Sequence, residues 1–299
     1  MVPAHPNQRG KSQSRADFFQ AVDKSNANDP EVREIVQKNV DMARKVTGRN
    51  SQNFEHSGAK DAQHFVVVGA DFPVTEESVD YLLKNGEKVG VIGPPAPAVE
   101  REALPCCAPE DGREDRCLDQ TKEAGSFEEP FFLNVATSLL DAQVPVVCVG
   151  GRWGLDFKGF TPAMAKAVFD NLLQKPVKPV TVVIDDDVTH LSLPIGEDFS
   201  PIPNGTTQCM FWGHGSDWKV GANHDTIQII DRTWTCTLRL LLIQHHTSGG
   251  VTVSHLRFGK QPSKTQHLTL NADFTACHIP NSVKKHKPLE AAKPSRCLS

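Results

Sequence analysis

An open, mostly parallel α/β sheet followed by a partial second α/β unit is the fold this sequence predicts. Three observations carry it. The run HFVVVGA at 64–70 is continuously apolar, as a strand covered on both faces must be. Short apolar runs and helical periods then alternate through residue 173, the β-α-β-α rhythm that winds a parallel sheet. After residue 205 a new strand–glycine–helix unit opens with TTQCMFWGHG.

The elements follow in order. Residues 29–48 predict a helix: Asp29 suits the N-cap, Pro30 the first helical position and Glu31 the positive end of the dipole, and Gly48 ends the run. Val32, Ile35, Val36, Val40 and Ala43 recur along it at helical spacing. After the 64–70 strand, Thr75 is expected to cap a helix carrying Val79, Leu82 and Leu83, which stops at Asn85-Gly86. EKVGVIG (87–93) predicts the next strand, 131–142 a helix and VPVVCVGG (144–151) a strand. Thr161-Pro162 opens a further helix with Met164, Val168 and Leu172 on one stripe. Two Lys-Pro steps then suggest a boundary between about 175 and 205, with further strands expected at 251–259 and 267–279. The polar, basic stretch after Pro280 reads as disorder.

At 299 residues the chain has room for two domains of about 100–200 residues each. It is 38% hydrophobic and 23% charged with a net charge of −4, the balance of a globular protein rather than of a basic nucleic-acid binder. No apolar run approaches the roughly 20 residues of a membrane-spanning helix. The opening MVPAHPNQRGKSQSR lacks an apolar core, so it does not read as a secretory signal; its basic, Ser-containing character leaves an organelle transit peptide open. Cytoplasm or an organelle matrix is therefore expected, and secretion is not. The eight cysteines contain no C-x-x-C pair and so spell neither a zinc site nor a ferredoxin-type cluster. Cys148 and Cys209 lie in apolar runs, where buried free thiols are expected.

The strongest candidate site is Gly213-His214-Gly215-Ser216-Asp217, placed after a predicted strand and before a helix. Backbone N–H groups and a helix N-terminus there form an anion site, and glycines let the chain approach a phosphate without a Cβ in the way. A tight βα turn with no ligand is the plain alternative. His255 and Arg257 are two apart in a predicted strand and so share one face, either a ligand-facing row or a structural network under a loop. Asp185-Asp186-Asp187 suits a solvated turn better than a cation site, and the adjacent His245-His246 lack a third ligand.

Several stretches, in this order, resemble the pyruvate:ferredoxin (flavodoxin) oxidoreductase family: PAHPNQRG and ADFFQAV; AKDAQHFVVVGA, EESVDYLLKNGEKVGV, TKEAGSFEEP and GGRWGLDFKGFTPAMAKAVFDNL; then DDDVTHLSLP, QCMFWGHGSDWKVGAN, SGGVTVSHLRFGKQP and ADFTACHIP. The resemblance implies residues 1–55 as the tail of a substrate-binding domain and 56–175 as a domain similar to the transketolase C-terminal domain. It further implies a linker at 176–205, a partial CoA-handling domain at 206–281 and a tail at 282–299. It implies CoA contacts at Gly213, Gly215, Ser216, Asp217 and Lys219. Two departures bear on that site. The family has a glycine where this chain has Trp218, and a Lys-Lys pair where it has His246 and Thr247; a neutral imidazole is no substitute for a permanent ammonium beside a phosphate at pH 7. Lys122, Glu123 and Arg152 fall in family-like motifs and are expected at inter-domain contacts.

The family oxidatively decarboxylates pyruvate on thiamine diphosphate with magnesium, passes electrons through [4Fe–4S] clusters to ferredoxin or flavodoxin, releases acetyl-CoA, and works as a homodimer. This chain carries no GDG-type thiamine motif and no cluster cysteine set, so it is expected to position CoA at most. A part of such an enzyme, inactive alone, is the leading expectation; a non-catalytic paralogue that binds CoA or docks to a complete enzyme is the alternative. Residues 93–120 and 231–246 interrupt the resemblance and regain it with no change of length, as compensating reading-frame shifts would produce. The first window is Pro-, Cys- and charge-rich, and a strand near 105–118 is expected to be missing, leaving its neighbours with open edges.

Overall fold

The computed structural model describes residues 17–20, 23–24, 29–48, 55–59, 62, 64–68, 71–93, 114–154, 159–174, 179–185, 188–196, 199–214, 225–230, 232, 238–245, 251–261, 267–278, 283 and 287–293. The chain divides into two compact units: Met1–Glu55 with Pro94–Ala96, and His56–Gly93 with Pro97–Ser299. The first unit contains α1 (Asp29–Thr47), where the sequence places it. Lys38 and Glu34 pair one turn apart on its exposed side.

The second unit holds two sheets. The first has six strands, β1 (Glu55–Gly58), β2 (His64–Val68), β3 (Val89–Gly93), β4 (Glu114–Asp119), β5 (Val147–Trp153) and β6 (Val180–Val182), in the order β1-β3-β2-β4-β5-β6. From β3 through β6 every neighbouring pair is parallel. Its helices are α2 (Phe72–Lys84), α3 (Pro130–Asp141) and α4 (Pro162–Leu172). α2 lies against β3 and α4, and α3 against β4 and β5. The core between them is continuous, built from Val79, Leu82, Val91, Leu118, Trp153, Val168 and Phe169 among others, and Trp153 meets Phe160 edge to face.

α4 begins as its sequence predicts: Thr161 is the N-cap, its hydroxyl accepts from the Met164 N–H, and Pro162 follows. α2 does not. It starts at Phe72 rather than after Thr75, because Pro73 serves its first turn and the Thr75 hydroxyl donates back to the Asp71 carbonyl instead of capping. Gly93 ends β3 where a Cβ would overlap the Phe72 ring, so the glycine is what lets α2 enter against the sheet.

β4 corrects the expectation of a missing strand. The charged segment EDRCLD fills the slot between β2 and β5, pairing in parallel with both. Asp115, Arg116 and Asp119 of this strand are all buried. The Arg116 guanidinium donates to the Gly150 carbonyl (2.7 Å) and to the Asn171 side-chain oxygen on α4 (2.9 Å). Burial still draws Arg116 down to about 10, with Cys148 and Glu128 opposing. β6 falls inside the stretch expected as a linker, where it continues the first sheet and bridges Ser192 through Thr181.

The second sheet has four strands in the order β10-β7-β9-β8: β7 (Thr207–His214), β8 (Leu238–His245), β9 (Val251–Gly259) and β10 (Phe274–Cys277). β10 is parallel to β7, whereas β9 is antiparallel to both β7 and β8. The leucine run of the second interrupted window is thus β8, an edge strand. Of the strand predicted at 267–279, only Phe274–Cys277 pairs as one. Residues 287–293 of the stretch expected to be disordered make ordered contacts: Ala272 and Ala292 form a bridge, and the Lys293 ammonium meets Asp273 at 2.8 Å.

Candidate functional site

β7 carries a contiguous apolar run, Cys209 to Trp212, with Met210 in the core of the second sheet, and Gly213 is its buried penultimate residue, paired with Thr252 of β9. The strand therefore delivers the chain to the proposed anion loop from inside a two-sided ladder. Gly215, Ser216, Asp217 and Lys219 lie outside the described residues, as do Trp218, His246 and Thr247.

His255 and Arg257 do share one face of β9, and both are buried. Their contacts are those of the structural network. Arg257 sits directly across from Gln208 of β7, and its Nε donates to Gln208 Oε1 at 2.9 Å. A terminal N–H of Arg257 donates to the His267 carbonyl, and His255 Nδ1 accepts from the Thr269 N–H at 3.2 Å. The 267–269 segment thus covers this face. His267 in turn approaches Glu77 of α2, Nδ1 to Oε2, at 3.8 Å. Burial first, then the neighbouring Arg257 charge, holds His255 down to about 4 and His267 to about 3. Both imidazoles are neutral at pH 7. Burial lowers Arg257 to about 10 against the pull of Glu77.

A second polar cluster closes the carboxyl ends of β4 and β5, the edge of a parallel sheet where ligands commonly bind. Asp119 accepts from the Phe131 and Phe132 N–H groups at 3.0 and 2.9 Å, closing the start of α3. Glu129, 1% exposed, accepts from the Glu123 N–H (2.6 Å) and pairs with Arg152 and Lys122. Burial pushes the Glu129 carboxyl up, but the Arg152 bond, the Glu123 N–H and the Arg152 and Lys122 charges leave it below the ordinary value. For Asp119 burial prevails over the same kind of bonds, so its carboxyl is raised. Inter-domain contacts are the expectation for Lys122, Glu123 and Arg152, and what the structure shows is their convergence on one carboxylate. Lys122, Glu123 and Arg152 meet at Glu129 within a single layer, where a buried anion needs them. Glu129 is the centre of this cluster, and only its place in EEP before α3 hinted at it.

Among the described residues no group of three His, Cys, Asp or Glu side chains is placed to hold a metal ion. Among the described residues Cys117, Cys148, Cys209 and Cys277 are free thiols, on four different strands. Burial drives the Cys117 thiol well above its ordinary value and Cys209 to about 11. Asp186 and Asp187 lie outside the described residues. No described helix is long and apolar enough to cross a membrane.

A parallel sheet backed by helices and a mixed four-stranded sheet define an α/β protein. No family model matches the chain. Individual proteins do. It is 41% identical over 300 residues to a pyruvate:ferredoxin oxidoreductase of Moorella thermoacetica, covering 98% of this chain and 25% of that protein. It is 37% identical over 302 residues to a mitochondrial pyruvate dehydrogenase [NADP(+)] of Euglena gracilis (97% and 16%), and 38% identical over 309 residues to a pyruvate-flavodoxin oxidoreductase of a Nostoc species (98% and 26%). The chain is thus similar along nearly its whole length to one segment of pyruvate:ferredoxin and pyruvate-flavodoxin oxidoreductases, and it spans about a quarter or less of the length of these relatives.

Proposed function

We propose that this chain is the part of a pyruvate:ferredoxin/flavodoxin oxidoreductase that contributes to CoA handling, in the oxidative decarboxylation of pyruvate to acetyl-CoA with transfer of electrons to ferredoxin or flavodoxin. The observation that carries it is 41% identity over 98% of the chain, against one quarter of the relative's length. The glycine connection after β7, with Gly213, Gly215, Ser216, Asp217 and Lys219, is the proposed CoA contact, and His255 and Arg257 hold the strand behind it. The thiamine diphosphate, magnesium and [4Fe–4S] clusters belong to other parts of such an enzyme; they supply the electron chemistry while the protein supplies position and field. The assembly is a homodimer acting in the cytoplasm or an organelle matrix.

Alone, the chain is expected to give no pyruvate-driven, CoA-dependent reduction of a viologen dye; turnover by the purified chain would overturn this reading. Calorimetry with CoA reports on the binding role. A second reading, a non-catalytic module that binds CoA or docks to a complete enzyme, is favoured by the continuous buried core of the first sheet, which gives the chain the means to fold by itself. CoA binding without restored turnover when the missing domains are supplied separately would select it.

A further inference from the structure

A cavity of about 640 Å³ opens beside α4, and no role proposed above uses it. The first turn of α4, residues 195–196 and 199–202, Gln208 of β7, and His267, Leu270 and Asn271 line it. Its size falls within the roughly 300–1,000 Å³ range of small-molecule sites. The chemistry of its wall is unusual in one respect: not one lining residue is acidic or basic, and the single titratable one, His267, is neutral at pH 7. Met164, Phe199 and Leu270 give it an apolar body, and Thr161, Ser200, Gln208, His267 and Asn271 are its polar points.

Of the two most buried polar points, Gln208 is oriented by a group behind it. Arg257 has donors only, so its bond to Gln208 Oε1 fixes the amide and leaves the Gln208 NH₂ as a donor. His267 Nδ1 lies 3.8 Å from Glu77 Oε2, beyond hydrogen-bond reach, and as a neutral imidazole the ring carries one donor and one acceptor. His267 and Gln208 are both more than nine-tenths buried. A wall that offers hydrogen-bond donors and acceptors but no charge matches the N–H and C=O of a carboxamide, and an ionised ligand would lose its hydration with no counter-charge to replace it.

We propose that this cavity is a binding site for an uncharged small molecule carrying a carboxamide on a short apolar body. The site is independent of the CoA reading, so CoA titration and dye reduction can fail while this one holds.

The probe is butyramide, set against butyrate as its charged isostere, titrated into the full chain with ¹H–¹⁵N chemical shifts as the readout. Saturable millimolar binding is expected for butyramide, with butyrate weaker by about tenfold or more. Leu270→Trp fills the cavity from a half-exposed position and is expected to abolish binding with the melting temperature retained. Gln208→Glu keeps an acceptor for Arg257 but removes the donor, and is expected to weaken butyramide by about tenfold. Butyrate binding as tightly as butyramide, butyramide binding that survives both substitutions, or no saturation by about 100 mM would each overturn the site.

Discussion

Asp71 carries a buried carboxyl oxygen, Oδ2, with no hydrogen-bond partner, although it stands at the N-terminus of α2. Burial raises its pKa from 3.8 to about 6. Between those values the folded state holds a proton that the unfolded chain has lost, so stability falls as pH rises through this window and the penalty stays in full above it. Asp71→Asn is therefore expected to raise the melting temperature at pH 7.5 and to leave it nearly unchanged at pH 3.5, which a pair of thermal melts will check. His255 and His267 work in the opposite sense. Their folded values of about 4 and 3 lie below the ordinary 6.5, so the unfolded chain takes up protons first as pH drops below 6.5. Urea titrations from pH 7 to pH 4 are expected to show progressive destabilisation, and His255→Asn a shallower slope than the parent chain. At this scale the sequence shows that His255 and Arg257 share a face, because strand period fixes it. It hides what they face. Gln208, His267 and Glu77 come from three other segments, and only the docking of the 267–269 segment and α2 makes them neighbours.

Helices were the legible elements, since α1, α3 and α4 lie within a residue or two of where periodicity, proline and cap chemistry place them. β4 was not legible. A strand buried on both faces should be apolar, and EDRCLD is not; Gly150 and Asn171 accept from Arg116, and two α3 amides donate to Asp119, all from outside the segment. The loop between β4 and α3 depends on Glu129 in the same way. Glu129→Gln keeps the shape but removes the anion from Arg152 and Lys122, and is expected to cost about 2–3 kcal/mol at pH 7 by chemical denaturation. Because the Glu129 carboxyl lies below its ordinary value of 4.5, its contribution is complete above that pH and fades as pH falls through the folded value. The difference between variant and parent is expected to narrow there. β1 rests on a backbone requirement instead. Gly58 has φ +134°, and a Cβ would come within 2.5 Å of Gly90 Cα in β3. Gly58→Ala is expected to lower the melting temperature and free β1 from β3, seen as early loss of amide protection at 55–58.

Taken as a whole molecule, the alternation of strands and helices disclosed one parallel sheet and the opening of another, and the family resemblance said which enzymes carry the same series. The expected boundary at 176–205 proved less sharp. Its first strand closes the first sheet, and the segment after it lines the cavity beside α4. Lys-Pro steps signal a break in helix but do not exclude a short parallel strand that starts just beyond them. The unit from His56 onward, with its continuous core, is expected to melt in one cooperative transition by calorimetry. A broad, featureless profile would mark the chain as a marginal product that the charged β4 segment fails to hold together.

The position of β4 also sets a clock. β1, β3 and β2 lie on one side of it and β5 and β6 on the other, so this one strand is the seam through which the first sheet is continuous. Edge strands trade their amide hydrogens for deuterium by fraying, whereas residues 115–118 are laddered on both sides and must wait for the sheet to part. Their isotope labelling therefore runs at the pace of global opening. Any partner that grips both halves of the sheet slows that exchange without touching β4 itself.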